Sequence, residues 1–530
     1  MAIGHSYFRS TVGRSWDAIV IGSGIGGLTA AAFLARAGLK VLVLEKHNTA
    51  GGATQTFRRH GYEWDAGLHY IGQVHRPTSG LRRIFDYISN DMLQWEPMAD
   101  VYNTIVVGDN HYEYPSGERA FATRMKQYFP DDADAIDRYL KLVTLANRAG
   151  RTFFAHRALP PALADDTYND MCAEFRRHSD RTVAEVLAEL TDNTELAAVL
   201  TGHYGDYSLS PAEASFGVHA MLIRHYIDGA SYPVGGSASL ASTITQVISQ
   251  AGGEVLVAAE VTGIILDDTH TACGVTMNDG GTFTAPTIIS DAGILNTLTT
   301  LLPPEATSAQ LVAACTAVGP SLPWVVLNIG IKRSAADMAL PTGNIWAHPS
   351  ADVAGELAAF EKDPSNRPMP LNFLTYPSGK DPSWDSLHPD RATIDIAGIT
   401  SWSLFEPFTQ TSWMNRGHEY DALKARLTEE LLEVVFRFSP QVRGQIDYTE
   451  LATPLSFNHF LGRTHGDFMS LAASPARFAI SNLGAHSGPK NLYIAGQDAA
   501  ASGVVGAVQG GVLAASAALG RNVLDDISRN

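Results

Sequence analysis

Three glycines and one carboxylate near the start of the chain have the types and spacing that bind a dinucleotide. Gly22, Gly24 and Gly27 form a G-x-G-x-x-G turn, and Glu45 follows roughly 20 residues later. Glycine permits a tight turn, the approach of a diphosphate to bare backbone and close packing of the next helix. A carboxylate at this distance accepts hydrogen bonds from ribose hydroxyl groups. The pattern therefore predicts a dinucleotide site.

A second glycine pair indicates which dinucleotide is bound. Gly51-Gly52 follows Glu45 after a short loop and can enclose the diphosphate from its other side. Such enclosure is typical of proteins that hold their dinucleotide permanently, which favours FAD over a diffusing nicotinamide cofactor. The Glu45 carboxylate would repel a 2′-phosphate, so the pattern also favours an unphosphorylated ribose over that of NADP.

The elements around these residues predict an α/β fold. Residues 18–21 are a short apolar run suited to a buried parallel strand, and a second strand is expected over residues 40–44. Between them an alanine-rich helix is predicted over residues 28–37, with its N-terminal amides directed at the phosphates. This order of strand, turn, helix, strand and acid makes a ligand-free glycine turn the weaker interpretation.

In the remaining chain, segments of α/β character alternate with a mainly helical segment and with a segment that contains a predicted antiparallel sheet. This alternation predicts an FAD-binding domain that is interrupted twice. Helices dominate the first interruption, including predicted helices over residues 131–145 and 182–190, and residues 324–330 and 392–396 are predicted strands of an antiparallel sheet in the second. The predicted FAD-binding domain comprises residues 1–76, 231–293 and 481–530, and the predicted substrate domain comprises residues 77–230 and 294–480.

Composition excludes several classes of protein. The net charge of −17 argues against nucleic acid and against broad attraction to anionic lipid. Cys172, Cys273 and Cys315 are scattered, so they predict neither a disulfide framework nor a metal site and suit a reducing compartment. The N-terminal sequence lacks the apolar core of a signal peptide, and no run of about 18 apolar residues follows. A cytoplasmic protein is expected.

Four stretches identify a resemblance to the phytoene desaturase superfamily of flavoproteins, within it to the retinol saturase and carotenoid isomerase branch. They span nearly the whole chain, so the match extends beyond the generic nucleotide fold. The resemblance implies FAD, a glutathione-reductase-like Rossmann-type domain and an inserted α+β substrate domain. The four stretches are residues 65–72 (DAGLHYIG), 232–236 (YPVGG), 453–462 (TPLSFNHFLG) and 491–511.

The resemblance also implies roles for individual residues. It places a group of five residues on the diphosphate and a second group of five residues as a cover over the dinucleotide. Glu45 would bind the adenosine ribose, and the backbone of Val261 would contact adenine. Asp498, which follows Gly496, would reach the ribityl-diphosphate region, and Val505 would begin a helix whose N-terminus stabilises the anion of a reduced flavin. The diphosphate group is Gly22, Ser23, Gly24, Gly26 and Gly27, and the covering group is Lys46, Gly51, Gly52, Ala53 and Thr54.

His69 and Tyr70 are the candidate catalytic residues. Residues 65–72 follow the loop that closes over the diphosphate, so this segment is expected to pass along the flavin ring, where an imidazole can donate a proton near neutral pH. A hydrogen-bonded structural histidine is the equal alternative. His203-Tyr204, Tyr232 and His459 are weaker candidates, and Arg463-Thr464-His465 is expected to be a solvated loop.

Three functions of different classes remain open. The first is an FAD-dependent oxidoreductase that saturates or desaturates a long apolar polyene or isoprenoid by hydride transfer at N5. The second is a cis–trans carotenoid isomerase that uses reduced FAD, and the third is a flavin-free lipid carrier, against which the glycines and Glu45 argue. An amine-oxidase-type flavoenzyme is a further alternative. An apolar substrate implies transient membrane contact, for which Phe153-Phe154 and residues 158–163 are candidates, although core positions are favoured.

Overall fold

The computed structural model describes residues 3–9 and 15–528, so the remaining ends of the predicted segments 1–76 and 481–530, and residues 10–14, lie outside the described residues. Its central layer is a six-stranded sheet in which all neighbouring strands are parallel. The start, middle and end of the chain each supply strands, and the predicted α/β class is confirmed. The strand order is His5–Ser6, Glu254–Val257, Val41–Leu44, Ala18–Ile21, Ile288–Ser290 and Leu492–Ile494.

Three helices cover this parallel sheet, namely Ile25–Arg36, Ala238–Gln250 and Gly503–Leu519. The strands Ala18–Ile21 and Val41–Leu44 are buried along their whole length, as apolar strands between two covering layers must be. A separate antiparallel sheet of Val261–Leu266, Ala272–Met277 and Thr282–Thr284 extends the same region.

Glycines let the first and last of these helices approach each other closely. A Cβ at Gly26 would lie 2.6 Å from the Cα of Gly496, a Cβ at Gly510 would overlap the carbonyl oxygen of Gly496, and a Cβ at Gly511 would overlap that of Gly26. Only hydrogen fits at these positions, so the C-terminal helix packs backbone against backbone on the dinucleotide-binding turn.

A seven-stranded sheet forms the second large layer. All its pairs are antiparallel except that of Asn344–His348 with Val101–Val107. Trp324 lies opposite Ile399, so the two strands predicted here are antiparallel neighbours as expected. The order is Ile446–Ala452, Trp324–Ile331, Ala392–Ile399, Asn372–Thr375, Asn344–His348, Val101–Val107 and Asn110–Pro115.

Smaller elements connect the two layers. Thr56–Arg59 and Tyr62–Asp65 form a hairpin, and Ile71–Gly72, Ala230–Pro233 and Trp95–Pro97 form a three-stranded sheet. The remaining helices are Gly80–Ser89, Glu118–Tyr128, Ala133–His156, Pro161–Ser179, Val183–Ala188, Thr194–Leu200, Phe216–Tyr226, Ile294–Asn296, Ala309–Val318, Val353–Lys362, Pro377–Lys380, Trp384–Leu387, His418–Phe438, Pro454–Leu461, Pro475–Ala479 and Leu524–Ile527.

Two predicted helices have different ends in the structure. Pro130–Asp132 forms a 3₁₀ turn, and the helix predicted over residues 131–145 runs instead from Ala133 to His156. The helix predicted over residues 182–190 is Val183–Ala188, because Thr182 and Glu185 form a capping box that fixes its start.

The helix Ala133–His156 buries Phe153-Phe154, one of the two apolar segments that are candidates for membrane contact. Phe153 and Phe154 are only 3% and 1% exposed, and the Phe153 ring lies 4.5 Å from that of Phe175. An exposed rim at this pair is therefore excluded, whereas Leu163 in the other segment is 54% exposed. Among the helices of the described residues, none is long and apolar enough to cross a bilayer.

We expect Gly510→Ala to destabilise the protein and to weaken its retention of dinucleotide. The new methyl group would overlap the backbone of Gly496, and overpacking of this kind costs about 1–3 kcal/mol. Gly80→Ala is the matched control, since a Cβ at Gly80 meets no atom within 4 Å. Thermal unfolding and dialysis of the purified proteins measure both effects, and equal melting temperatures for the two variants would contradict the close packing described here.

Candidate active site

A groove at the carboxyl ends of the parallel strands collects most of the residues predicted to bind the dinucleotide. We call it the FAD groove. Ser23, Gly27 and Gly51 lie behind its wall, and Val505 lines the adjoining cavity instead. The predicted residues that line the groove are Gly22, Gly24, Gly26, Glu45, Lys46, Gly52, Ala53, Thr54, Val261, Gly496 and Asp498.

The backbone of the groove fits a diphosphate. The helix Ile25–Arg36 begins after Gly24 with no side-chain cap, and the Gly27 N–H already donates to Asp291, so the N–H groups before Gly27 are the ones available to an anion at the positive end of the helix dipole. Gly22 has φ +92° and Gly52 has φ +55°, and a Cβ at Gly52 would lie 2.9 Å from the Cα of Gly24. The two glycine elements thus face each other across a space that side chains would fill.

Glu45 is held in place by neighbours on both of its oxygens. Oε2 accepts hydrogen bonds from the backbone N–H and the hydroxyl of Ser23, at 2.9 and 2.7 Å, and Oε1 accepts one from the His47 N–H at 2.8 Å. The side chain is nearly buried at the end of strand Val41–Leu44. A fixed carboxylate with lone pairs left over is suited to the two hydroxyl groups of a ribose.

Besides Lys46, positive charge in the groove comes from a residue that was expected elsewhere. Arg463, expected on a solvated loop, lines the groove and donates a hydrogen bond from Nη1 to the Ser470 hydroxyl at 3.0 Å. Burial alone would raise the pKa of Asp498, but Arg463 and Arg477 outweigh it and hold that pKa below its ordinary value. Arg463 therefore offsets buried carboxylates beside a site for an anionic diphosphate.

Asp291 was missed by sequence analysis. It follows strand Ile288–Ser290, and a Cβ at Gly24 would lie 2.5 Å from its Oδ2. Burial raises the pKa of Asp291 to about 7, against a hydrogen bond from the Gly27 N–H that lowers it. The signal available in the sequence was an acid at the carboxyl end of a parallel strand, which is where such sheets bind ligands.

A second concavity, which we call the aromatic cavity, opens from the far end of the FAD groove. The two share Gly67, Phe468, Met469, Gly503 and Val504 as walls. Most of the cavity surface is apolar, so it suits a hydrophobic ligand. Its eight aromatic residues are Tyr70, Tyr207, Tyr226, Trp324, Trp346, Phe373, Phe457 and Phe468.

His69 lines the aromatic cavity, but it is not a cation there. Burial, with a smaller effect of Lys380, lowers the pKa of His69 to about 3. Its Nδ1 lies 3.7 Å from Oδ2 of Asp395, and neither atom has a hydrogen-bond partner among the described residues. Burial raises the pKa of Asp395 to about 8, with Lys380 acting in the lowering direction.

Lys380 lies behind His69 and completes this buried cluster. Its Nζ donates to the backbone carbonyl of His69 at 3.1 Å and to the side-chain oxygens of Asn344 and Thr375. Burial lowers the pKa of Lys380 to about 7. Proton donation by a positively charged His69 near neutral pH, the mechanism expected from the sequence, is therefore disfavoured by the surroundings of the ring.

Tyr70 also lines the cavity, and its hydroxyl donates a hydrogen bond to Oδ2 of Asp206 at 2.7 Å. The weaker candidates lie elsewhere. Both ring nitrogens of His203 are buried without a hydrogen-bond partner among the described residues, the Tyr232 hydroxyl donates to Asp65, and His459 stacks on Trp413. None of these three lines the aromatic cavity.

The parallel sheet, the glycine cradle and the adjoining apolar cavity define a flavin-dependent oxidoreductase. The profile of the family described as flavin containing amine oxidoreductase matches residues 25–519, and the chain belongs to this family. FAD as the cofactor and the expected class of oxidoreductase are thereby confirmed.

Relatives and solved structures agree with this assignment. The chain is 33% identical, over 98% of its length and 88% of the relative, to an all-trans-retinol 13,14-reductase of Danio rerio. It is 26% identical to a chloroplastic prolycopene isomerase of Arabidopsis thaliana, over 86% of this chain and 74% of that one. Cyclohexylamine oxidase of Brevibacterium oxydans shares the fold, with a TM-score of 0.62 at 18% identity over 97% of this chain and 100% of that one.

We expect Glu45→Ala to lose about tenfold to a hundredfold in FAD affinity, because charge-assisted hydrogen bonds contribute ~1.5–3 kcal/mol. Titration of the FAD-free protein, followed by flavin fluorescence, measures the dissociation constant. Glu305→Ala, an exposed position away from the groove, is the control. Retention of FAD through dilution equal to that of the wild type would show the ribose assignment to be wrong.

Proposed function

We propose that the protein uses FAD to saturate one C=C bond of a long apolar polyene of the retinoid type. The observation that carries this proposal is the junction of the FAD groove with the aromatic cavity at Gly67, Phe468, Met469, Gly503 and Val504. A relative of similar length named all-trans-retinol 13,14-reductase supports the class of substrate.

Each part of the site has its own task in this proposal. FAD supplies hydride transfer at N5 when it is bound. The aromatic walls bind the polyene and exclude water from the reacting carbons. His69 and Tyr70 remain our candidates for the substrate-side residues nearest the flavin, His69 as a neutral side chain whose ring packs on that of Phe373 at 5.6 Å between centroids.

Two other reactions would use the same site. Cis–trans isomerisation of a carotenoid by reduced FAD is supported by the prolycopene isomerase relative. Oxidation of an amine is supported by the match to the family described as flavin containing amine oxidoreductase. The three reactions differ in the mass of their product, which makes them separable.

We expect the chemically reduced enzyme, incubated anaerobically with all-trans-retinol, to give a product that is heavier by two hydrogens. Mass spectrometry with chromatography against the starting isomer measures this directly, and the oxidised enzyme is the control for reductant dependence. A product of unchanged mass would favour the isomerase, and loss of two hydrogens would favour a desaturase. Turnover of amines without change in any polyene would contradict the proposal.

We propose further that the substrate enters from a lipid surface at Trp413 and Met414. These side chains are 45% and 83% exposed and line a third concavity, which we call the entry cavity. The entry cavity shares Ala66, Val326, Phe457 and Phe468 with the aromatic cavity, so in this proposal these four residues would line the passage from the exposed pair towards the FAD groove. With a net charge of −17, contact with lipid must be mainly apolar.

We expect the protein to float with neutral liposomes and to remain bound when salt is raised, because apolar contact is not screened. The double variant Trp413→Ser with Met414→Ser should lose most of this binding. Leu524→Ser, which removes an exposed leucine that lines none of the three cavities, is the control and should bind as the wild type does. Equal flotation of all three proteins would exclude this entry surface.

A further inference from the structure

We infer that Asp206 delivers the proton that accompanies hydride addition to the substrate and that Tyr70 positions its carboxyl group. This role rests on the proposed saturation of a C=C bond, which needs one proton for each hydride. Sequence analysis did not single out Asp206. The role follows from the hydrogen bond to Tyr70 and from the position of the carboxyl group in the aromatic cavity.

Asp206 is held firmly on one side. It ends the 3₁₀ turn Tyr204–Asp206, and its Oδ2 accepts the 2.7 Å hydrogen bond from Tyr70. The Tyr70 ring is fixed in turn by stacking on Tyr226, at 4.4 Å between ring centroids, and on Phe373 at 6.0 Å. A group held this way can keep one orientation towards a bound substrate.

The other side of the carboxyl group faces the cavity. The Asp206 side chain is 18% exposed, and it lines the aromatic cavity. Among the described residues of that lining, Asp206 supplies the one carboxyl group. Oδ2 accepts the hydrogen bond from Tyr70, which leaves Oδ1 as the oxygen that can face a ligand.

The surroundings keep a proton on this group near neutral pH. Burial raises the pKa of Asp206 to about 7, and the Tyr70 hydrogen bond acts in the lowering direction. The other titratable groups that face it are Tyr102, Tyr207, Tyr226 and His203, whose Nδ1 lies 3.9 Å away. Burial raises the pKa of all three tyrosines and lowers that of His203 to about 3, so all four are neutral at pH 7.

The step balances with a reduced flavin as the hydride donor. Hydride adds to one carbon of the C=C bond, and the electron pair of that bond takes the proton of the Asp206 carboxyl group at the other carbon. The carboxylate that remains keeps its hydrogen bond from the Tyr70 hydroxyl and is protonated again from solvent before the next turnover. Because the acid form is required, the rate should fall as the pH rises through about 7.

The first test compares Asp206→Asn with the wild type and with His69→Phe. Asparagine keeps an oxygen that can accept from Tyr70 but cannot deliver the proton, so the single-turnover rate should fall about 10²–10⁴-fold and lose its decline above pH 7. FAD and its visible spectrum should be retained. Asp192→Asn, at an exposed position outside the cavity lining, should keep the rate and pH profile of the wild type.

The second test does not depend on turnover. Infrared difference spectra of the oxidised holoenzyme should contain a protonated carboxyl band that titrates near pH 7 and that Asp206→Asn removes. Since the Tyr70 hydrogen bond lowers the pKa of Asp206, Tyr70→Phe should move the midpoint of this band, and the decline in rate, to higher pH. A merely structural role of Tyr70 would leave the midpoint unchanged.

Several results would overturn the role of Asp206. In Asp206→Asn these results are a wild-type rate or a protonated carboxyl band that persists. In Tyr70→Phe the result is a midpoint of that band that is unchanged or lower. In His69→Phe it is loss of the decline in rate above pH 7 while Asp206→Asn keeps that decline. Absence of a heavier product from the wild type as well would overturn the proposed function and this role together. Product from the wild type and from Asp206→Asn at equal rates would overturn the role of Asp206 alone.

Discussion

The structure depends on close backbone contact between chain segments that lie far apart in the sequence. Gly26 in the first helix, Gly496 after the last strand of the parallel sheet, and Gly510 and Gly511 in the C-terminal helix touch without side chains between them. This contact brings the C-terminal helix beside the dinucleotide turn and sets its N-terminus at Gly503, where the FAD groove meets the aromatic cavity. The position of the junction between the FAD groove and the aromatic cavity therefore depends on four glycines that carry no side chain.

Burial beside that junction decides which side chains can exchange protons. The same removal from water that drives the pKa of His69 to about 3 raises that of Asp206 to about 7. Desolvation disfavours the charged form of both groups, so it lowers the pKa of the histidine and raises that of the carboxyl group. In water a histidine holds its proton more tightly than an aspartic acid does. In this apolar cavity the order is reversed, because the pKa of His69 lies below that of Asp206.

Local sequence patterns predicted the dinucleotide turn, the carboxylate of Glu45 and the strands at Trp324 and Ala392, because each is marked by residue types that lie close together in the sequence. Asp206 and Arg463 could not be placed in this way. Their roles depend on partners such as Tyr70 and Ser470, which only the folded chain brings near. The pKa of His69 was misjudged for the same reason, since burial and the nearby Lys380 are properties of the tertiary structure.

The central claim is that the FAD groove delivers the flavin ring to the aromatic cavity. A crystal structure of the holoenzyme with bound retinol tests this most directly. The account predicts the diphosphate at Gly22–Gly27, the flavin ring between Gly67 and Gly503, and the polyene among the aromatic walls with one end of a C=C bond within reach of Asp206. A flavin ring outside the shared wall of the two cavities, or a polyene bound elsewhere, would contradict it.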